Sequence, residues 1–168
     1  MDSDFQGDSA ERFFSGLTEY AFQTRLGIAD PPLVTYISKM LSRFIHRDSI
    51  YCIRNPDGVR LVEVVDMLVE AQSSEGLARR EVHRHIGDFT LFWSGVFPEA
   101  LRSQQAEGKK DGFLDYRSHG KRAYKIASTI EADDPRPRCD VLERLSHEFD
   151  WCVEGLREVR RQWERMTA

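Results

Sequence analysis

The residues best placed to do chemistry lie in one segment, EVHRHIGDFTLFWSGVFPE at residues 81–99. On a helix, Glu81, His85 and Asp88 share a face with Phe92, Gly95 and Glu99, opposite an apolar stripe. An imidazole and a carboxylate beside so much apolar surface are costly to bury without partners. They must reach water, pair with another group, or serve a site. A second segment, YRSHGKRAY at residues 116–124, puts Tyr116, Gly120 and Tyr124 on one helix face, with Ala127 continuing it. Small residues between two tyrosines let another helix approach closely while the phenols reach past the contact. This face is expected to pack near Gly95 and Asp88, with a tyrosine hydroxyl donating to the carboxylate. His85, Asp88, Tyr116 and Tyr124 form the candidate polar cluster.

Two chemistries fit such a cluster. The plainer is a buried clasp, in which Asp88 fixes helix packing and His85 or Arg84 is its helical neighbour. The sharper is half of a metal or acid–base site, with Glu81, His85 and Asp88 presented together by helical spacing. A di-iron bundle needs Glu-x-x-His on two helices, whereas Glu143 and His147 stand four apart. His-Glu-x-x-His is absent, and His83 and His85 fall on different helix faces. There is no P-loop, no G-x-G-x-x-G and no G-x-S-x-G. His119, beside Gly120, reads as a packing or surface histidine, its nearest candidate nucleophile being a tyrosine. Cys52, Cys139 and Cys152 form no C-x-x-C pair, and their odd number suggests neither a zinc ribbon nor a disulfide framework. No catalytic residue, metal or cofactor is therefore assigned.

The two segments resemble an uncharacterised family of bacterial, all-helical proteins with motifs of the form G-D-[FY]-x-L-F-x-x-G-x-F-P-E and Y-x-x-x-G-x-x-A-Y. The chain fits the first at residues 87–99 and the second at 116–124. The resemblance implies a bacterial helical protein. It brings no activity, so Gly87, Asp88, Phe92, Gly95, Pro98, Glu99, Tyr116, Gly120 and Tyr124 stand as motif positions without roles.

Helices must position these groups. A first is expected from a capping box at Asp8 and Glu11 to Gly27, with Phe13, Phe14, Leu17, Tyr20 and Ala21 at helical spacing. Asp30-Pro31-Pro32 opens a second, whose stripe is Leu33, Val34, Ile37, Met40, Leu41, Phe44 and Ile45. Residues 48–60 read as an irregular connection with room for one short β-hairpin near 50–62. A third helix follows, with Leu61, Val64, Val65 and Leu68 on one face. The fourth, over 77–101, is apolar on so much of its circumference that it should be central, and Pro98 should bend or end it. A polar loop at 103–112 leads to a fifth helix over 113–130. After a proline-rich break at 133–138, a sixth carries a heptad-like seam of Leu142, Leu145, Phe149, Cys152, Leu156, Val159, Trp163 and Met166. The expected architecture is an all-α, single-domain bundle of about six helices spanning residues 1–168.

With 168 residues, 40% of them hydrophobic, the chain can bury one core without disulfides or metal. A net charge of −4 argues against nucleic-acid binding. Arg157, Arg161 and Arg165 share a face but are interleaved with Glu154, Glu158 and Glu164, as on a solvated helix. No segment is apolar enough for a signal peptide or membrane span, and the cytoplasm is the expected location. The favoured expectation is a non-catalytic protein acting through self-association, as a homodimer, or through protein binding, because the last helix carries an unassigned seam. The alternative is a small-molecule or metal site around His85, Asp88, Tyr116 and Tyr124.

Overall fold

The computed structural model describes residues 2–134 and 137–168, with side chains from Ser9 onward. Nine α-helices run through the described residues: α1 (Asp2–Glu19), α2 (Pro31–Phe44), α3 (Arg47–Ile50), α4 (Val64–Ser73), α5 (Gly76–Val96), α6 (Pro98–Ala106), α7 (Tyr116–Ser128), α8 (Cys139–His147) and α9 (Phe149–Thr167). None is long and apolar enough to cross a membrane.

The local signals explain most boundaries. α1 begins at Asp2, ahead of the cap expected at Asp8, since no proline stops a helix from starting earlier. It widens into a π-helical turn at Tyr20–Arg25 and stops where Gly27 takes a φ of +68°. Asp30 caps α2, its Oδ1 accepting from the Leu33 N–H at 3.3 Å, with prolines in the first helical positions. Asp115 caps α7 in the same way through Ser118.

Two expected helices are broken and one extra helix forms, which is why nine replace six among the described residues. Pro98 ends α5 and starts α6 in its first position, since its nitrogen has no hydrogen to continue the α5 ladder and none is needed at a helix start. α6 then continues to Ala106, so the start of the expected polar loop is helical, and a 3₁₀ turn follows at Lys110–Phe113. The terminal helix bends at Glu148 into α8 and α9. The extra short helix α3 lies in the connection after α2. The hairpin expected near 50–62 is reduced to one antiparallel bridge, Arg54 with Arg60, around a turn in which Gly58 has a φ of +79°. Ile53 and Leu61 turn toward the core, but Val59 and Val62 stay exposed, so the pair remains short and two-stranded.

α5 is the central element. It packs against α4, α6, α7 and α9, and Ile86, Phe89, Leu91 and Phe92 are buried on different sides of it. On one side, residues of α1, α2, α8 and α9 close a core around Phe22, Ile37, Met40, Phe149 and Leu156. On the other, Leu61, Val64, Met67 and Ala71 meet Val82, Ile86 and Phe89, with Tyr116 and Ala123 from α7. The seam from Leu142 to Val159 is buried within the chain, and Trp163 leans edge-on against Phe14 at 5.5 Å. Most of the seam that suggested self-association is thus occupied by the chain's own core, while Trp163 and Met166 at its end stay exposed.

Glycines set the closest approaches. A Cβ at Gly87 would lie 2.6 Å from the Tyr124 ring, and one at Gly120 would meet Phe149 at 2.5 Å and collide with the Thr90 hydroxyl. Gly120 therefore lets α7 press onto α5, as its spacing suggests. Gly95 faces the other way, against Leu156 of α9 rather than α7.

Candidate functional site

Asp88 lies in the middle of α5 with no exposed surface, and every strong contact it makes comes from a side chain. The hydroxyls of Tyr36 and Tyr124 both donate to its Oδ1, at 2.7 and 2.6 Å. Arg43 Nη2 donates to Oδ2 at 3.1 Å, and Arg84 Nε stands 3.9 Å from the same oxygen. One carboxylate thus joins α2, α5 and α7. Burial, and then the Asp88 charge, push both phenols well above the usual tyrosine range, so they remain protonated donors. For Arg43, burial opposes the charge, but Asp88 and Tyr36 outweigh it and the guanidinium is held more firmly protonated. Arg84 behaves likewise, with Tyr36, Asp88 and Glu81 overcoming its burial.

The four expected residues separate into three environments. Tyr124 joins Asp88, as the spacing suggested. Tyr116 does not, because eight residues of helix place it about 12 Å further along α7. Its hydroxyl instead donates to Asp111 Oδ2 at 2.5 Å. Asp111 also accepts the backbone N–H groups of Val64 at 2.7 Å and Val65 at 3.0 Å, capping α4 from a distant turn. Tyr116 therefore belongs to a second buried Asp–Tyr unit with a structural role.

His85 is one turn from Asp88 but forms no hydrogen bond with it. Its ring packs beside Phe44 and Phe89, with centroids 5.9 and 6.0 Å away, and Nδ1 meets Cys52 Sγ at 3.4 Å. Nε2 is buried without a hydrogen-bond partner. Burial lowers the histidine pKa, against an opposing pull from Asp88 and the Ile50 carbonyl, and burial raises that of the Cys52 thiol. Both members of the pair are therefore held neutral. They do not form the thiolate–imidazolium arrangement that an activated nucleophile needs.

The sequence reading missed Tyr36 and Arg43. They stand seven apart on α2, two turns along one face, and their polar tips were obscured by the stronger apolar stripe beside them. The i, i+7 repeat of a phenol and a guanidinium was the available signal.

Above Asp88 a cleft of about 270 Å³ opens to solvent, lined by Arg43, Ser49, Cys52, Ile53, Glu81, Arg84 and His85 as well as Asp88. Tyr36 and Tyr124 are sealed beneath it. The cleft combines two guanidiniums with two carboxylates, and Glu81 lies 3.6 Å from Arg84. Among the described residues no group of three His, Cys, Asp or Glu side chains converges as a metal site requires. Compared with protein-family models, curated proteins and solved structures, the chain matches none.

Proposed function

We propose that the protein binds a small zwitterionic molecule in the cleft above Asp88 and does not transform it. The observation that carries this reading is the pairing of opposite charges around an open cavity: Arg43 and Arg84 against Glu81, over a carboxylate already held by two phenols. A simple anion would gain from the arginines but be opposed by Asp88 and Glu81. A molecule with a carboxylate at one end and an ammonium at the other matches both, the carboxylate meeting Arg43 and the ammonium meeting Glu81. Asp88 would orient Arg43 and Arg84 without contacting the ligand strongly, because phenols and a guanidinium already occupy its oxygens. The neutral state of Cys52 and His85 favours binding over covalent chemistry.

Self-association is not part of this reading, since the seam that motivates it is internal from Leu142 to Val159 and only Trp163 and Met166 at its end are exposed. The ligand is neither nucleic acid nor membrane, and free cysteines at positions 52, 139 and 152 suit a reducing cytoplasm. The resemblance to uncharacterised bacterial proteins is kept as part of the proposal.

Thermal-shift and calorimetric titration with α-amino acids, alongside their amides and N-acetyl derivatives, tests the reading. Saturable binding should require both charged ends and should be lost in Arg43→Gln and in Glu81→Gln. Absence of binding across the panel, or binding that survives both substitutions, would overturn it.

A further inference from the structure

The opposite side of α5 carries a pocket of a different kind. His83 and His85 lie about 200° apart around the helix. His83 faces a pocket of about 270 Å³ between α4, α5 and α7, lined by Gln72, Arg79, His83, His119 and Arg122 over an apolar floor that includes Leu68. No carboxylate lines it. Asp115, which feels the charge of His119, is engaged in capping α7 through Ser118. Among the described residues Arg79 and Arg122 form no ion pair and no side-chain hydrogen bond, although most other arginines in the chain do. His83 is 5% exposed, and its Nδ1 is buried without a partner.

Two guanidiniums gathered without a counter-charge repel one another and, on top of burial, keep the His83 ring beside them neutral, and an anion seated among them removes that repulsion. Guanidiniums offer paired N–H donors at the spacing of phosphate oxygens, and neutral imidazole and the Gln72 amide can each donate one more. We propose that this pocket binds a phosphate group, with Arg79 and Arg122 as its charged clamps and His83 and His119 on its flanks. The protonation behaviour of His83 agrees: burial, and then the charges of Arg79 and Arg122, push its pKa down to about 4. The α4 residues facing it, Leu68 and Gln72, carry no charge. A bound phosphate dianion would raise that pKa, so binding should draw a proton from solvent onto the ring.

Calorimetric titration of the full chain with inorganic phosphate and with glycerol 3-phosphate tests this. At least one should bind saturably with an affinity of ~1 mM or better. Preference for the ester would identify a phosphorylated metabolite, and equal or tighter binding of the inorganic ion would identify free phosphate. Either ranking supports the site. Arg79→Gln and Arg122→Gln should each weaken binding about tenfold. Arg165→Gln, which removes the same charge elsewhere, should have no effect. Because Arg79 and Arg122 are exposed and unpaired, both variants should fold. Saturation should also shift the His83 ring resonances toward the protonated form, which a diffuse ionic effect would not do. The proposal is overturned if neither compound binds, if the Arg79→Gln/Arg122→Gln double variant binds like the wild type, or if His83 does not respond.

Discussion

Tyr36 and Tyr124, 88 positions apart in sequence and on different helices, donate to the same oxygen of Asp88. The second oxygen is held by Arg43. Removing one phenol leaves the carboxylate less well satisfied, while removing the carboxylate strands two phenols and a guanidinium. Tyr36→Phe and Tyr124→Phe should each destabilise by about 1–3 kcal/mol, and Asp88→Ala by more than about 3 kcal/mol. Asp88→Asn should cost less than Asp88→Ala, because its amide oxygen still accepts from the phenols. In chemical denaturation, Asp88→Ala combined with either tyrosine variant should cost less than the sum of the two singles. Combined with Tyr116→Phe it should be additive, since Tyr116 serves Asp111.

The glycines predict effects of opposite sign. Gly87→Ala would force a methyl into the Tyr124 ring, and overpacking of that kind costs about 1–3 kcal/mol. A Cβ at Gly16, in the middle of α1, meets nothing within 4 Å. Gly16→Ala should therefore stabilise by roughly 0.5–1 kcal/mol through helix propensity alone. Melting temperatures that move in the same direction for both would refute the packing of α7 on α5.

Acid should weaken the fold before its carboxylates titrate. His83 and His85 both have folded pKa values below the ordinary imidazole value, His83 at about 4. The unfolded chain therefore takes up these protons first, and stability falls as pH drops below ~6.5. For His83 the loss continues to about 4 and then levels off. Its charged neighbours are Arg79 on α5 and Arg122 on α7, with His119 lining the same pocket. Denaturation midpoints from pH 7.5 down to 4.5 should show this decline, and His83→Gln should flatten it. An unchanged slope in that variant would mean that His83 is freely hydrated.

Thiol chemistry offers a separate check. Cys152 is fully buried, and burial, followed by the charges of Glu148 and Asp30, pushes its pKa far up. Cys52 is exposed but also raised. Iodoacetamide should modify Cys52 more slowly than free cysteine at mildly alkaline pH, because less of it is thiolate. Cys152 should be modified only after denaturation. Mass spectrometry showing native Cys152 labelled as fast as Cys52 would contradict the packing of α9.

The parts of the fold that were legible in the sequence are those with local causes. Asp30 with two prolines, Gly27 after α1, and the apolar circumference of α5 each express a constraint within a few residues, and each appears where expected. Tyr124 was found because Gly120, four residues before it, advertised a close contact. The errors come from distance. Asp111 stands five residues before Tyr116, but the α4 N-terminus that buries and holds it lies 47 residues away, so nothing local marks it as Tyr116's partner. The break at Glu148 interrupts a seam whose hydrophobic pattern is continuous, because periodicity records which residues are buried and not whether the axis bends. The cleft depends on side chains of α2 reaching Asp88 of α5, and neither helix alone reveals that.

The three-helix attachment at Asp88 also bears on synthesis. A chain made from its N-terminus presents Tyr36 and Arg43 first, then Asp88, and Tyr124 last. Until Tyr124 has been made, α2 and α5 can meet only with one hydrogen bond to the carboxylate missing, so water must remain at their junction. The dry core of the finished protein therefore awaits a residue on α7, and closure of these distant contacts should set the pace of folding more than formation of any single helix. Nascent chains truncated before Tyr124 should be helical yet loosely packed, with Asp88 still hydrated.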